Sequence, residues 1–248
     1  MNNIIYSFLI TLIAGLTTLI GIIPCFIKEK YKDTIITSSL AFSSSVMITI
    51  SILDLIPESI KLQNTYQLLF PSIITVSILI VLGIIFSNII NHKIDNNNTL
   101  YKLGLISIIT IILHNIPEGI ATYISSSQDQ ILGLKLAFAI ALHNIPEGIS
   151  IAIPIYYSTN SFKKTFLYTL ISGLSEFIGA LLTYLFLQNY ISNGLLSITL
   201  AITSGIMLNI SLTELLPTSL TYKKNKVTLI SFVLGFIIMY LSEKLLLN

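Results

Sequence analysis

The chain has 248 residues, 54% of them hydrophobic and only 10% charged, with a mean hydropathy of +0.88. Soluble domains carry about 25% charged residues, so a soluble globular class is excluded and an all-α polytopic membrane protein is expected. The formal net charge of +2 argues against a nucleic-acid partner, and the single cysteine, Cys25, cannot form an intrachain disulfide.

A membrane-crossing helix needs about 20 mainly apolar residues, and helix is the assignment that satisfies its own backbone hydrogen bonds in hydrocarbon. Apolar runs between polar breaks predict eight spans: Ile4–Ile27, Ile35–Ser59, Tyr66–Ile90, Leu100–Ser125, Ile131–Tyr157, Phe162–Leu187, Gly194–Leu220 and Val227–Leu247. The first lacks a basic leader and a small-residue cleavage site, so Met1–Ile27 reads as a retained span. The stretch Asp95-Asn96-Asn97-Asn98 between the third and fourth spans reads as a flexible linker. His92 beside it reads as solvent-facing, and Ser125–Gln130 as polar turn material.

Lysine placement predicts orientation, because there is no arginine. Alternate loops hold Lys28, Lys30, Lys32, Lys93, Lys102, Lys163, Lys164, Lys223, Lys224 and Lys226, whereas the opposite side holds Lys61, Lys135 and Lys244. The lysine-rich side is expected to face the cytoplasm. Both termini then lie outside, which agrees with an even number of spans.

The second and seventh spans carry a long-range repeat. Residues 44–59, SSVMITISILDLIPES, align with residues 204–219, SGIMLNISLTELLPTS, with Met, Ser, Leu and Pro in register and Asp54 answered by Glu214. Spans two and seven cross in opposite directions, so the repeat is inverted, as in carriers with a midplane substrate site. The expected plan is 3+2+3 within a single transporter domain: residues 1–92, a central pair at 99–157, and an inverted unit at 162–248 that relates helices 1–3 to helices 6–8.

The central pair carries the chemistry. His114-Asn115-Ile116-Pro117-Glu118-Gly119 recurs as His143-Asn144-Ile145-Pro146-Glu147-Gly148. On a helix, His and Glu four apart and Asn and Glu three apart share one face. Pro117 and Pro146 are expected to kink their helices, and Gly119 and Gly148 to admit close neighbours. Ionisable residues in hydrocarbon are costly and mark function by default. Imidazole, carboxylate and amide oxygen form a borderline ligand set suited to zinc and its neighbours. With no thiolate, the site suits release of the ion over structural retention. Glu176, in Ser172-Gly173-Leu174-Ser175-Glu176-Phe177-Ile178-Gly179-Ala180, is a further mid-span acid that needs a cation or a proton. Asp54 and Glu214 lie near span ends, where a solvated carboxylate needs no special role. Glu58 reads as an end charge. Met47 and Met207 offer thioethers, though Met is usually core filler.

These motifs resemble the ZIP (Zrt/Irt-like) family of divalent-metal transporters, in particular its ZupT-like zinc-uptake branch. The resemblance implies eight helices in the 3+2+3 plan and a midplane, two-metal centre. One metal would take His114, Glu118, His143 and Glu147. The second would take Asn115, Asn144 and Glu176, with Glu118 and Glu147 bridging. It also implies a pathway past Met47 and Asp54, to which the repeat adds Glu214, and a homodimer in a prokaryotic cell membrane. No catalytic cofactor is implied: Zn2+ is cargo, with Fe2+, Mn2+ and Cd2+ as further candidates. The chain departs from many relatives in lacking a His-rich loop after the third span.

Two alternatives bound this reading. One is a broad Fe2+, Mn2+ and Zn2+ carrier of the same family. The other, an intramembrane metalloenzyme, fits poorly. The His-Glu-x-x-His pattern of metalloproteases is absent, the Glu-x-x-His order of di-iron helices is reversed, and the chain has three histidines. The expectation is a transporter that catalyses no reaction.

Overall fold

The computed structural model describes residues 3–94, 97–187 and 192–246. Among these, every regular element is helical and eight helices are long and apolar enough to cross a membrane. They are α1 (Asn3–Phe26), α2 (Glu29–Gln63), α3 (Leu69–Lys93), α4 (Thr99–Gln128), α5 (Gln130–Thr159), α6 (Phe162–Phe186), α7 (Asn193–Thr221) and α8 (Asn225–Lys244). The predicted spans match in number and order. The second is longer than predicted at both ends: a 3₁₀ turn over Glu29–Tyr31 leads into the helix at Lys32, and the helix runs on past Ser59 to Gln63. Of the expected linker, Asp95 and Asn96 lie outside the described residues, as does Leu247 at the predicted end of the last span.

The helices pack as two groups of four. In one, α4 packs on α5 and α6, while α1 packs on α5 and α6. In the other, α2 packs on α8 and α7, and α3 on α7. The groups meet where α2 and α8 touch α5 and where α4 touches α7. The outer faces of α3 and α8 present Ile78, Leu82, Ile85, Leu229, Val233 and Ile237, apolar surface of the kind lipid covers.

Paired contacts follow the sequence repeat. Ser59 Oγ donates to Ser197 O at 2.8 Å, and Ser219 Oγ donates to Thr37 O at 3.0 Å. Both partners of the second pair are offset by 160 residues from those of the first, the offset of the aligned segments. The end of α2 meets the start of α7 and the start of α2 meets its end, so these helices run antiparallel. Backbone crossings pair off likewise, at an offset of 29 between the sextets and 158 between Thr18 and Glu176. A Cβ on Gly119 would stand 1.9 Å from Glu176 O, and one on Gly148 would stand 1.9 Å from Thr18 O. Only glycine permits helices this close.

The backbone departs from α-helix at places that hydropathy and helical spacing do not mark. Residues Ser51–Leu55 and Ser211–Leu215 are π-helical, in equivalent places one turn before Pro57 and Pro217. In each, the next amide, Ile56 N or Leu216 N, reaches back to the serine carbonyl. A proline lacks the N–H for the following bond, and the widened turn closes the ladder just ahead of it. The end of α1 is 3₁₀-helical over Thr17–Phe26. By contrast, α4 and α5 run as continuous α-helices with Pro117 and Pro146 inside them.

Candidate metal centre

One residue joins the two sextet helices. Asp129 ends α4, and its carboxylate accepts from Ile131 N at 2.8 Å and Leu132 N at 3.1 Å, capping α5. Side-chain caps of this kind satisfy otherwise orphaned amides at a helix start. Asn115 lies fourteen residues before Asp129 and Asn144 fifteen after it, so the hairpin brings both sextets to one depth, about 21 Å from the turn at 1.5 Å per residue. The two copies face each other because the connection is this short.

His114, Glu118 and His143 meet with ligand atoms all within 4.8 Å of one another. Glu118 Oε1 lies 2.9 Å from His143 Nε2, a hydrogen-bond contact, and 3.0 Å from His114 Nε2. His114 Nε2 also stands 3.2 Å from Glu147 Oε1, with neither of its carboxylate contacts aligned as a hydrogen bond. All four side chains are buried.

A second set surrounds the asparagines. Asn115 Nδ2 donates to Ser172 O at 3.2 Å, and Asn144 Nδ2 donates to Ala14 O at 3.0 Å, again equivalent under the repeat. Asn144 Nδ2 also donates to Glu176 Oε1 in a short contact. Fixing each amide nitrogen on a carbonyl leaves its oxygen as an acceptor. Asn115 Oδ1, Asn144 Oδ1, Glu176 Oε2, Glu118 Oε2 and both Glu147 oxygens are buried without hydrogen-bond partners. Buried acceptors are normally satisfied, and unpartnered carboxylates in hydrocarbon are costly. A cation among them satisfies several at once, and the donor set of imidazole, carboxylate and amide oxygen fits zinc.

The remaining predicted positions lie apart from this cluster. Asp54 is half-buried on the π-helical turn of α2, near enough to His143, Glu118 and His114 for their charges to act on it. Met47 is buried in the apolar core that also holds Met207, Ile50 and Ile210. Glu214 accepts from Asn91 Nδ2 of α3, away from the sextets. Glu58 pairs with Lys61 at 3.1 Å on the surface, and His92 is exposed.

Sequence reasoning passed over three features. The carbonyls of Ala14 and Ser172 hold the asparagines, and a carbonyl carries no residue signature. Ser43 Oγ donates to Pro146 O at 2.6 Å inside the second sextet. Glu243 is half-buried within range of the charges on Asp54 and His143; as the lone carboxylate of the last span it could have been singled out.

A family model described as ZIP Zinc transporter matches residues 91–243. The zinc transporter ZupT of Clostridium perfringens is 34% identical over 274 residues, covering 98% of this chain and 96% of its own. Those of Campylobacter jejuni, at 33% over 99% of this chain and 98% of theirs, and Streptococcus mutans, at 35% over 97% of each, are similar along the full length.

Proposed function

The chain belongs to the ZIP zinc transporter family, a family of transporters and not of enzymes, and from this we propose that it carries Zn2+ from outside the cell into the cytosol. The observation that carries the reading is the buried His114, Glu118 and His143 group, set between two helices and surrounded by acceptor atoms that lack partners. One ion is held by His114, Glu118, His143 and Glu147. A second is held by Asn115, Asn144 and Glu176, with Glu118 and Glu147 bridging. A thiolate-free set of this kind releases what it binds.

Transport is by alternating access. The α1, α4, α5 and α6 group carries the sextets and moves against the α2, α3, α7 and α8 group, and the division at residues 1–92, 99–157 and 162–248 reflects the inverted units. Asp54 lies on the outer approach and Glu214 on the inner exit, with Met47 beside the path. The ten lysines on one side support a cytoplasmic assignment for that side and, with eight spans, extracytoplasmic termini. Fe2+, Mn2+ and Cd2+ are further cargo, because the ligand set is not selective by residue type alone. The homodimer implied by the resemblance extends to this chain, and crosslinking in membranes tests it.

Isotopic zinc uptake into sealed proteoliposomes tests the function. Uptake that saturates with zinc and is lost in the Glu118→Ala, His143→Ala double variant supports it. Uptake by the double variant equal to that of the parent overturns the site.

A further inference from the structure

The Ser43–Pro146 bond joins the two helix groups. Ser43 sits on α2 and is fully buried, and the carbonyl it reaches lies between His143 and Glu147. A helical carbonyl has a second lone pair for a hydroxyl donor, so the bond forms without breaking the α5 ladder. Under the repeat, Ser43 corresponds to Thr203 of α7 at the offset of 160, and Pro146 to Pro117 of α4 at the offset of 29. Thr203 is buried and also bears a hydroxyl, yet among the described residues no hydrogen bond joins it to Pro117 O. The repeat thus provides two hydroxyl–proline pairs, of which one is made.

The apolar packing is asymmetric in the same sense. The main core cluster takes Leu103 and Ile106 from α4, and Ala152, Ile153 and Tyr157 from α5, all on the lysine-rich side of the sextets. No residue of α4 or α5 from the opposite side belongs to it. Ile36 and Leu40 of α2 complete this seal.

We propose that Ser43 and Thr203 are alternating latches. Ser43 on Pro146 O holds the lysine-rich side closed, as seen here; when the sextet group moves, that bond is exchanged for Thr203 on Pro117 O and the opposite side closes. Both are positioning residues that act through the sextet backbone and touch no metal. Because one bond replaces another of the same kind, neither conformer is favoured strongly, which suits a carrier that must cycle. The inference rests on the alternating-access reading above.

The test uses Leu40→Cys, in the seal, on a Cys25→Ser background, with maleimide applied from the lysine-rich side of oriented vesicles. Ser43→Ala speeds labelling about fivefold, the shift one intramolecular hydrogen bond supports. Ser43→Thr keeps the hydroxyl and restores the parent rate. Thr203→Val slows labelling by a similar factor, and the Ser43→Ala, Thr203→Val double variant returns towards the parent. Opposite signs separate a latch from general destabilisation, which would speed labelling in both single variants. An unchanged rate in Ser43→Ala, or the same direction in both, overturns the proposal. If Ser43→Ala does not fold, the sign of the Thr203→Val effect decides. Zinc uptake by the parent in the same vesicles reports on transport separately, so loss of the latch and loss of the transport reading are distinguishable.

Discussion

Gly15 of α1 and Gly173 of α6 cross backbone to backbone: a Cβ on Gly15 would lie 2.2 Å from Gly173 O, and one on Gly173 would lie 2.4 Å from Gly15 O. The two are equivalent under the repeat, separated by 158 residues as are Ala14 and Ser172 beside them. The crossing therefore sits where the two inverted units meet, and it sets the carbonyls that hold Asn144 and Asn115.

Either Gly15→Ala or Gly173→Ala forces α1 and α6 apart. The expected cost is about 1–3 kcal/mol, the range for overpacking a close contact, with weaker zinc binding because the asparagine anchors shift. Thermal unfolding in detergent and a zinc titration measure both effects. Gly194→Ala is the control, since the nearest atom there is 3.5 Å away and the substitution should be neutral.

Glu118 joins the two histidines through one oxygen. Glu118→Ala and His143→Ala are each expected to lower zinc affinity at least about tenfold, as for loss of a ligand or its direct partner. Glu118→Gln keeps the shape and removes the charge, so its effect should match that of alanine. Zinc binding to purified protein checks the order; a Glu118→Gln protein that binds like the parent would contradict ligation by the carboxylate.

Ligation needs neutral imidazole, so in the proposed site protons compete with zinc at His114 and His143. Lowering pH should weaken binding, and raising it should strengthen binding towards a plateau. With both rings titrating, the limiting slope is about two log units of affinity per pH unit. Calorimetry in buffers of different ionisation enthalpy should also detect proton release on binding.

Glu176 meets Asn144 and carries an unpartnered buried oxygen. Glu176→Gln is expected to reduce bound zinc from two ions to one while sparing the ion at His114 and His143. Anomalous scattering at the zinc edge counts the ions directly. A Glu176→Gln protein that still holds two would remove Glu176 from the second site.

Asp54 and Glu214 are equivalent under the repeat but have different surroundings, Asp54 near the histidines and Glu214 on Asn91. Asp54→Asn should raise the KM for uptake by weakening the approach. Glu214→Gln should mainly change kcat by altering release. Initial rates over a range of zinc concentrations separate the two.

The spans and the sextets were legible because hydropathy and helical spacing are properties of side chains in sequence. The His114, Glu118 and His143 contact follows from identical motifs either side of a short turn. The anchoring of Asn115 and Asn144 was not legible, because Ser172 and Ala14 contribute backbone oxygen. Nor were the π-helical turns: Pro57 and Pro217 announce a missing amide, but packing between α2 and α7 decides how the ladder adapts. Prolines inside the sextets take a different course: the α-helix continues through Pro117 and Pro146.

The single-residue connection at Asp129 acts as a ruler. Each residue inserted there would slide α5 by about 1.5 Å and turn it by about 100° relative to α4, carrying His143 away from Glu118 within one addition. Loops elsewhere can lengthen at little cost, but this one fixes the register of the two ligand faces. Its length is therefore as much a determinant of the proposed metal recognition as the proposed ligands themselves. A tag, epitope or cleavage site placed between Ser127 and Ile131 should abolish metal binding in a protein that otherwise inserts and folds.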